Sequence, residues 1–237
     1  MAQFLFLHGS WHGAWCWYKV LAQMAERGHQ ARAIDLPGRG RTPAAPALVG
    51  LKRMVDAAQN ALFAEGKTTV VVHSRNGIVA SALAERVPEA IARTIYLASF
   101  MLPNGRRVLD YLPDRDSLLP GNVQIGRIGL WDWLDPAIYQ PALYADCAAE
   151  DISLARTLLV REPLRPALTR LRLSPARYGQ VPRSYIRLSQ DRAVSPALQD
   201  RLLADTAVDR VETLHGSHSV YFSQPQALSE LIIDLAE

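Results

Sequence analysis

Three residues of this chain have the types and the order for acyl chemistry: Ser74, Asp191 and His218, each just beyond a run that reads as a β-strand. A serine hydroxyl is a weak nucleophile at neutral pH and needs a base to take its proton as it attacks. A histidine is the natural base, and a carboxylate behind it holds the tautomer and stabilises the imidazolium. Ser74 follows VVV in KTTVVVHSRNG, Asp191 follows SYIRLS in SQDRAVSP, and His218 follows VETL in HGSHSV. Alone, a serine at a strand end reads as a cap or turn residue; the coincidence with the acid and the base is what makes it a candidate. His8, His73 and His215 compete for the role of base, and each reads as a packing or hydrogen-bonding histidine. Asp205 and Asp209 compete for the acid and read as solvent-facing helix-end and turn residues. An oxyanion also needs fixed N–H donors. The loop HGSWHGAW offers the amide of Ser10, and the residue after the nucleophile, Arg75, offers a second.

The elements that must carry these groups alternate. FLFLH (4–8) reads as a buried strand, followed by a helix over roughly 15–27 ending at Gly28. QARAID (30–35) is a second strand, cut off by PGRGRTP; a helix pattern follows over 50–65. TTVVVH is the third strand, IVASALAERV a helix and IARTIYLAS (91–99) the fourth strand. From about 103 to 178 no clear strand is expected, and WDWL with helix candidates at 149–161 and 164–172 fills the span. SYIRLS (184–189), a helix over 196–206 led by Pro196, VETLH and a helix from about Pro225 complete the chain. Such alternation predicts an α/β fold with a mostly parallel sheet flanked by helices. The division expected is a core of residues 1–102 and 179–237 with an inserted helical cap over 103–178. Ligands in such sheets bind beyond the carboxyl ends of the strands, where all three candidates fall.

Composition narrows the class. The chain has 237 residues, of which 49% are hydrophobic and 21% charged, the profile of a globular chain with one large core. Its net charge of +3 is spread out, with lysine only at 19, 52 and 67 and the other basic residues arginine, so no nucleic-acid surface is expected. The opening MAQFLFLHGS has no basic leader and too short an apolar run for a membrane span, from which a cytoplasmic location is expected. Cys16 and Cys147 fit no metal or redox spacing and read as free thiols. The oligomeric state stays open, a dimer included.

Taken together, FLFLHGSWHGAWCWYKV, DLPGRGRTP, HSRNG, YLASFMLPNG, SQD and GSHS resemble the small α/β-hydrolases that include methyl salicylate and polyneuridine aldehyde esterases, hydroxynitrile lyases and many bacterial esterases. The serine, acid, histidine order is that of this scaffold. The resemblance covers essentially the whole chain and implies an α/β-hydrolase fold with a cap, a nucleophile at Ser74, an acid at Asp191, a base at His218 and oxyanion amides at Ser10 and Arg75. It implies no cofactor, no metal and a small hydrophobic ester, aromatic or methyl esters among them, as substrate. One branch of the lyases places a lysine directly after the histidine to help departing cyanide; here that residue is Ser219, which favours an esterase.

The chain departs from the family pattern at the turn around Ser74. The positions two before and two after it, usually glycine, are Val72 and Asn76. Valine puts a branched side chain into a tight turn, while asparagine tolerates unusual backbone angles. Either the packing has opened to admit them or the serine is misplaced, in which case a binding protein without catalysis, or base catalysis by His218 and Asp191 without a covalent step, becomes the alternative. Arg75, where the family is commonly apolar or small, reads as a surface group, as a partner for a cap carboxylate, or as a holder of an acidic substrate. Trp11, Trp131 and Trp133 either glue the cap to the core or line an apolar substrate pocket.

Overall fold

A computed structural model describes residues 1–237. The first four strands are β1 (Gln3–Leu7), β2 (Gln30–Ile34), β3 (Thr68–His73) and β4 (Ile91–Leu97). Between them lie helices α1 (Tyr18–Glu26), α2 (Leu51–Asn60) and α3 (Gly77–Arg86). An inserted region then carries β5 (Val123–Ile125), β6 (Trp131–Leu134), α4 (Tyr139–Leu143), α5 (Ala149–Leu158), β7 (Glu162–Pro163) and α6 (Arg165–Leu168). The chain returns through β8 (Arg183–Leu188), α7 (Pro196–Asp205), β9 (Arg210–Leu214), α8 (Val220–Ser223) and α9 (Pro225–Ala236). One six-stranded sheet in the order β2-β1-β3-β4-β8-β9 runs parallel throughout. Parallel neighbours need long crossovers, which the helices supply.

Both faces of this sheet are covered, and the two-residue period of the strands divides the core. Phe4, Phe6, Val71, Ile95 and Leu97 pack on one side with Val20 and Met24 of α1 and Leu228 and Ile232 of α9. Leu5, Leu7, Val70, Val72 and Tyr96 pack on the other with Met54 of α2, Ile78 and Val79 of α3 and Leu198 of α7. Helix ends follow the local chemistry. Gly28 takes φ +75 just past α1, and Ser195 caps α7 by accepting the Leu198 N–H at 3.1 Å ahead of Pro196.

The expectation that 103–178 holds no strand is corrected. β5, β6 and β7 form a small antiparallel sheet in that order, and WDWL is its central strand. Its alternation is inverted relative to an ordinary strand: Asp132 and Leu134 point inward, while Trp131 and Trp133 are half-exposed. A buried acid facing a partner far away in sequence hides a period-two signal that relies on apolar residues facing in.

The turn after β3 also differs from its expectation. Val72 belongs to the strand, fully buried, in register with Leu7 and Tyr96, and needs no opened packing. The close approaches fall on other glycines. A Cβ on Gly77 would lie 2.5 Å from the Phe100 carbonyl oxygen, and one on Gly9 would lie 2.8 Å from Ser74 Cβ. Asn76 has ordinary angles of φ −78 and ψ 6, so its role is a hydrogen bond from Nδ2 to the His8 carbonyl at 2.8 Å. Replacing Val72 by the usual glycine is therefore expected to remove core packing and lower stability by about 2–4 kcal/mol, and Gly77→Ala to lower it by about 1–3 kcal/mol through overpacking. Urea unfolding of the two variants checks both values, and a Val72→Gly protein as stable as wild type would contradict the placement.

Candidate active site

Ser74 sits at the carboxyl end of β3 with φ +57, a left-handed angle unusual for a side-chain-bearing residue. Such an angle costs on the order of 1–3 kcal/mol and persists where surroundings hold it. Here they do: the Ser74 carbonyl accepts the Phe100 N–H at 3.0 Å and the Ser99 hydroxyl at 2.6 Å. Ser99 is fixed in turn, its N–H donating to the Tyr185 hydroxyl oxygen at 3.0 Å. The turn after β4 thus grips the turn after β3, and sequence reasoning gave no sign of Ser99 or Tyr185 in this role. Ser74 itself is 7% exposed.

Asp191 follows β8 and His218 follows β9, and the structure brings them together. His218 Nδ1 lies 2.7 Å from Asp191 Oδ2, both side chains almost fully buried. The other carboxylate oxygen accepts the N–H groups of Ala193 at 2.7 Å and Val194 at 2.9 Å. An ionised carboxylate only accepts, so Nδ1 of His218 carries the proton and Nε2 presents a lone pair. Ser74 Oγ makes no hydrogen bond inside the chain, so the serine is not joined to His218 as the acid is. The backbone of His218 is nonetheless tied to the same turn: its carbonyl accepts from His73 Nε2 at 3.0 Å, and the two rings pack 4.3 Å apart.

The competing residues take the supporting roles expected of them. His8 donates from Nδ1 to the Gly9 carbonyl at 2.8 Å and accepts the Leu36 N–H at Nε2. His215 pairs with the Ser189 hydroxyl at an exposed position. Asp205 accepts from the Tyr111 hydroxyl and Asp209 from the Arg183 N–H. His12, which the sequence reading passed over, is buried beside the first loop. Its Nδ1 donates to the Ser10 carbonyl at 2.7 Å, and its Nε2 faces the hydroxyls of Tyr144 at 2.6 Å and Tyr221 at 3.1 Å. The second HG pair in HGSWHGAW was the available signal. No group of three or more His, Cys, Asp or Glu side chains is arranged to hold a metal ion. Cys16 is buried and Cys147 half-buried, both free, and burial pushes both thiols up.

Arg75 directly follows Ser74 in the short turn that opens at Ser74, and Ser10 follows Gly9, whose backbone comes so near that a Cβ there would lie 2.8 Å from Ser74 Cβ. Amides at such an N-terminal turn lack intrahelical partners. The Arg75 side chain takes the second of its three expected roles and reaches the inserted region. Its guanidinium holds Asp132 through two contacts, 2.7 Å and 3.3 Å, and lies 3.6 Å from Glu162. Asp132 and Glu162 stand directly opposite on β6 and β7, each 1% exposed. Like charges so placed repel, and Arg39 and Arg75 neutralise them, Arg39 through contact with Glu162. Burial and the nearby Arg75 push the Arg39 guanidinium down to about 9, leaving it charged at neutral pH.

The tryptophans divide. Trp11 is buried, with φ +63, its N–H donating to Glu162 and its indole N–H to Asp132, both at 2.8 Å. Trp131 and Trp133 stand on the outward face of β6 with the Arg161 guanidinium 5.4 Å and 5.9 Å from their rings. Trp133 also lines a groove of about 630 Å³ with Tyr139, Leu159 and Val160, and Ser74 is not among its walls.

Burial also decides the charge of three histidines. It holds His8 and His73 well below the ordinary histidine value and His12 at about 3. The folded chain keeps all three neutral where the unfolded chain protonates them near 6.5. Their contribution is intact above pH 6.5 and is lost as pH falls toward the folded values. Unfolding at pH 5 should take up roughly three protons at these sites, each worth about 1.4 kcal/mol per pH unit. Urea midpoints measured from pH 7 to pH 5 check this, and a flat profile would contradict the neutral assignment.

The alpha/beta hydrolase family model matches residues 4–231. The chain is 31% identical over 248 residues to putative methylesterase 11, chloroplastic, of Arabidopsis thaliana, covering 98% of this chain and 63% of that protein. It is 31% identical over 260 residues to probable esterase PIR7A of Oryza sativa subsp. indica, covering 98% and 96%. A pyrethroid hydrolase structure from Sphingobium faniae JZ-2 superposes with a TM-score of 0.91 at 23% identity over 99% of this chain and 97% of that one, a likeness of fold. The expected cytoplasmic location is corrected by these relatives: putative methylesterases 11 to 15 are chloroplastic by name, which conflicts with it. No helix of this chain is long and apolar enough to cross a membrane. With a family match spanning all six strands of the sheet and both ends of the site, the chain belongs to the α/β-hydrolase family.

Proposed function

We propose that this protein hydrolyses small carboxylic esters through an acyl-enzyme on Ser74, with His218 as base and acid and Asp191 as its partner. The observation that carries the reading is the His218–Asp191 pair at 2.7 Å on the same sheet edge as a serine held at φ +57. Relatives named methylesterase and esterase agree with the reaction class. Ser74 Oγ attacks the ester carbonyl carbon and its proton passes to His218 Nε2. The carbonyl π pair moves to oxygen, which the Ser10 and Arg75 amides stabilise. As the C–O bond to the alcohol breaks, His218 returns the proton to the leaving oxygen. Water, deprotonated by the same nitrogen, then releases the acid and frees Ser74. Asp191 stays ionised, held by its two backbone donors and the imidazole.

Residues 103–178 act in this reading as the cap that bounds the substrate. Trp11, whose polar atoms are engaged with Asp132 and Glu162, contributes its ring face, while Trp131 and Trp133, on the face of β6 opposite Asp132, have no part in the pocket. The Arg75 guanidinium, already paired with Asp132, is not free to hold an acidic substrate, which fits neutral hydrophobic esters.

Intact mass after incubation with a small fluorophosphonate tests the nucleophile. Wild type should gain one adduct and Ser74→Ala none, and Ser74→Ala should lower kcat on a p-nitrophenyl ester by on the order of 10⁴-fold or more. Asp191→Asn, which leaves the imidazole in the wrong tautomer, should lower kcat by about 10⁴-fold. Turnover retained in Ser74→Ala would replace the covalent route with base catalysis by His218.

A further inference from the structure

Trp11, which follows Ser10, and the side chain of Arg75 are held by the same two carboxylates, and those carboxylates come from the inserted region. Glu162 accepts the N–H of Trp11, the residue after Ser10, at 2.8 Å. The carbonyl of that same Ser10–Trp11 peptide accepts from His12 at 2.7 Å, so the peptide plane is held at both ends. The Trp11 carbonyl accepts the Val160 N–H at 2.9 Å, and its indole N–H donates to Asp132 at 2.8 Å. Asp132 also takes the Arg75 guanidinium through both oxygens. Trp11 is strained at φ +63 and does not hold that angle without such partners.

We propose that Asp132 and Glu162 are positioning residues that set the Ser10 and Arg75 amides for the oxyanion, so that the inserted region governs transition-state stabilisation as well as substrate access. The inference rests on the Ser74 acyl-enzyme reading. Neither carboxylate touches substrate in this role; Glu162 acts through the N–H of the Ser10–Trp11 peptide, and Asp132 through the Trp11 indole and the Arg75 guanidinium, one side chain removed from the two amides. Their burial at 1% exposure makes the geometry stiff, and oxyanion donors lose effect steeply with displacement, a shift of about 1 Å costing on the order of a hundredfold.

The test uses the full chain with a p-nitrophenyl ester and an aryl trifluoromethyl ketone. Ser74 Oγ adds to the ketone carbon, its proton goes to His218, and the carbonyl π pair becomes an oxyanion at the two amides. Asp132→Asn should lower kcat about 10- to 100-fold with KM within about twofold, and raise the ketone Ki by the same factor. Trp11→Phe removes the indole N–H together with the pyrrole half of the ring and should lower kcat by a few-fold in the same pattern, with the protein still folded and its Tm lowered by a few degrees; it decides the question if Asp132→Asn does not fold. A fall in kcat with an unchanged ketone Ki, or a change confined to KM, would overturn the proposal while leaving Ser74 as nucleophile. Turnover and ketone binding that both survive Ser74→Ala would instead remove the acyl-enzyme reading, and this inference with it.

Discussion

The left-handed turn at Ser74 is the constraint around which the carboxyl edge of the sheet is built. An L-residue at φ +57 holds that angle only if neighbours make every alternative worse. Two loops and the first turn of α3 meet that requirement together. The turn after β4 donates twice to the Ser74 carbonyl. The loop after β1 comes so close that only glycine fits at position 9, and Gly77 does the same beneath the start of α3. Parallel strands place all these loops at one edge, so a single sheet geometry gathers Ser74, Asp191 and His218 there without any of them being near in sequence.

Four histidines crowd this edge, and their partners sort them. His8, His12 and His73 each donate one ring proton to a backbone carbonyl and lie in low-dielectric surroundings that disfavour charge. They act as rigid, neutral struts between loops. His218 alone has a carboxylate on its Nδ1, itself fixed by two backbone donors. That difference sets His218 apart as the proposed base, since only a paired imidazolium is stabilised as it forms.

The inserted region is joined to the core by buried charge as well as by apolar packing. Asp132 and Glu162, opposed on adjacent strands, would repel without Arg75 and Arg39 between them and the core loops. Removing one partner from such a cluster typically costs about 3–5 kcal/mol, because it leaves a charge buried without its counterion. The cluster explains an arginine directly after the serine: the side chain belongs to the interface with the inserted region.

The sequence determined the alternation of strands and helices, the parallel sheet and the identity of Ser74, Asp191 and His218 as candidates, because local apolar periodicity and strand-end position are encoded within a few residues. SYIRLS, VETL and TTVVVH were legible as strands for that reason. WDWL was not, since its inward acid finds its cation at Arg75, 57 residues away, and the pattern makes sense only with that partner in place. The same holds for Val72, whose branched side chain reads as an obstacle to the turn until the sheet shows it facing Leu7 and Tyr96. Tertiary structure alone decided which histidines are struts, which glycines are indispensable and where Arg75 points, because each depends on non-local contacts that bury polar groups beside specific partners.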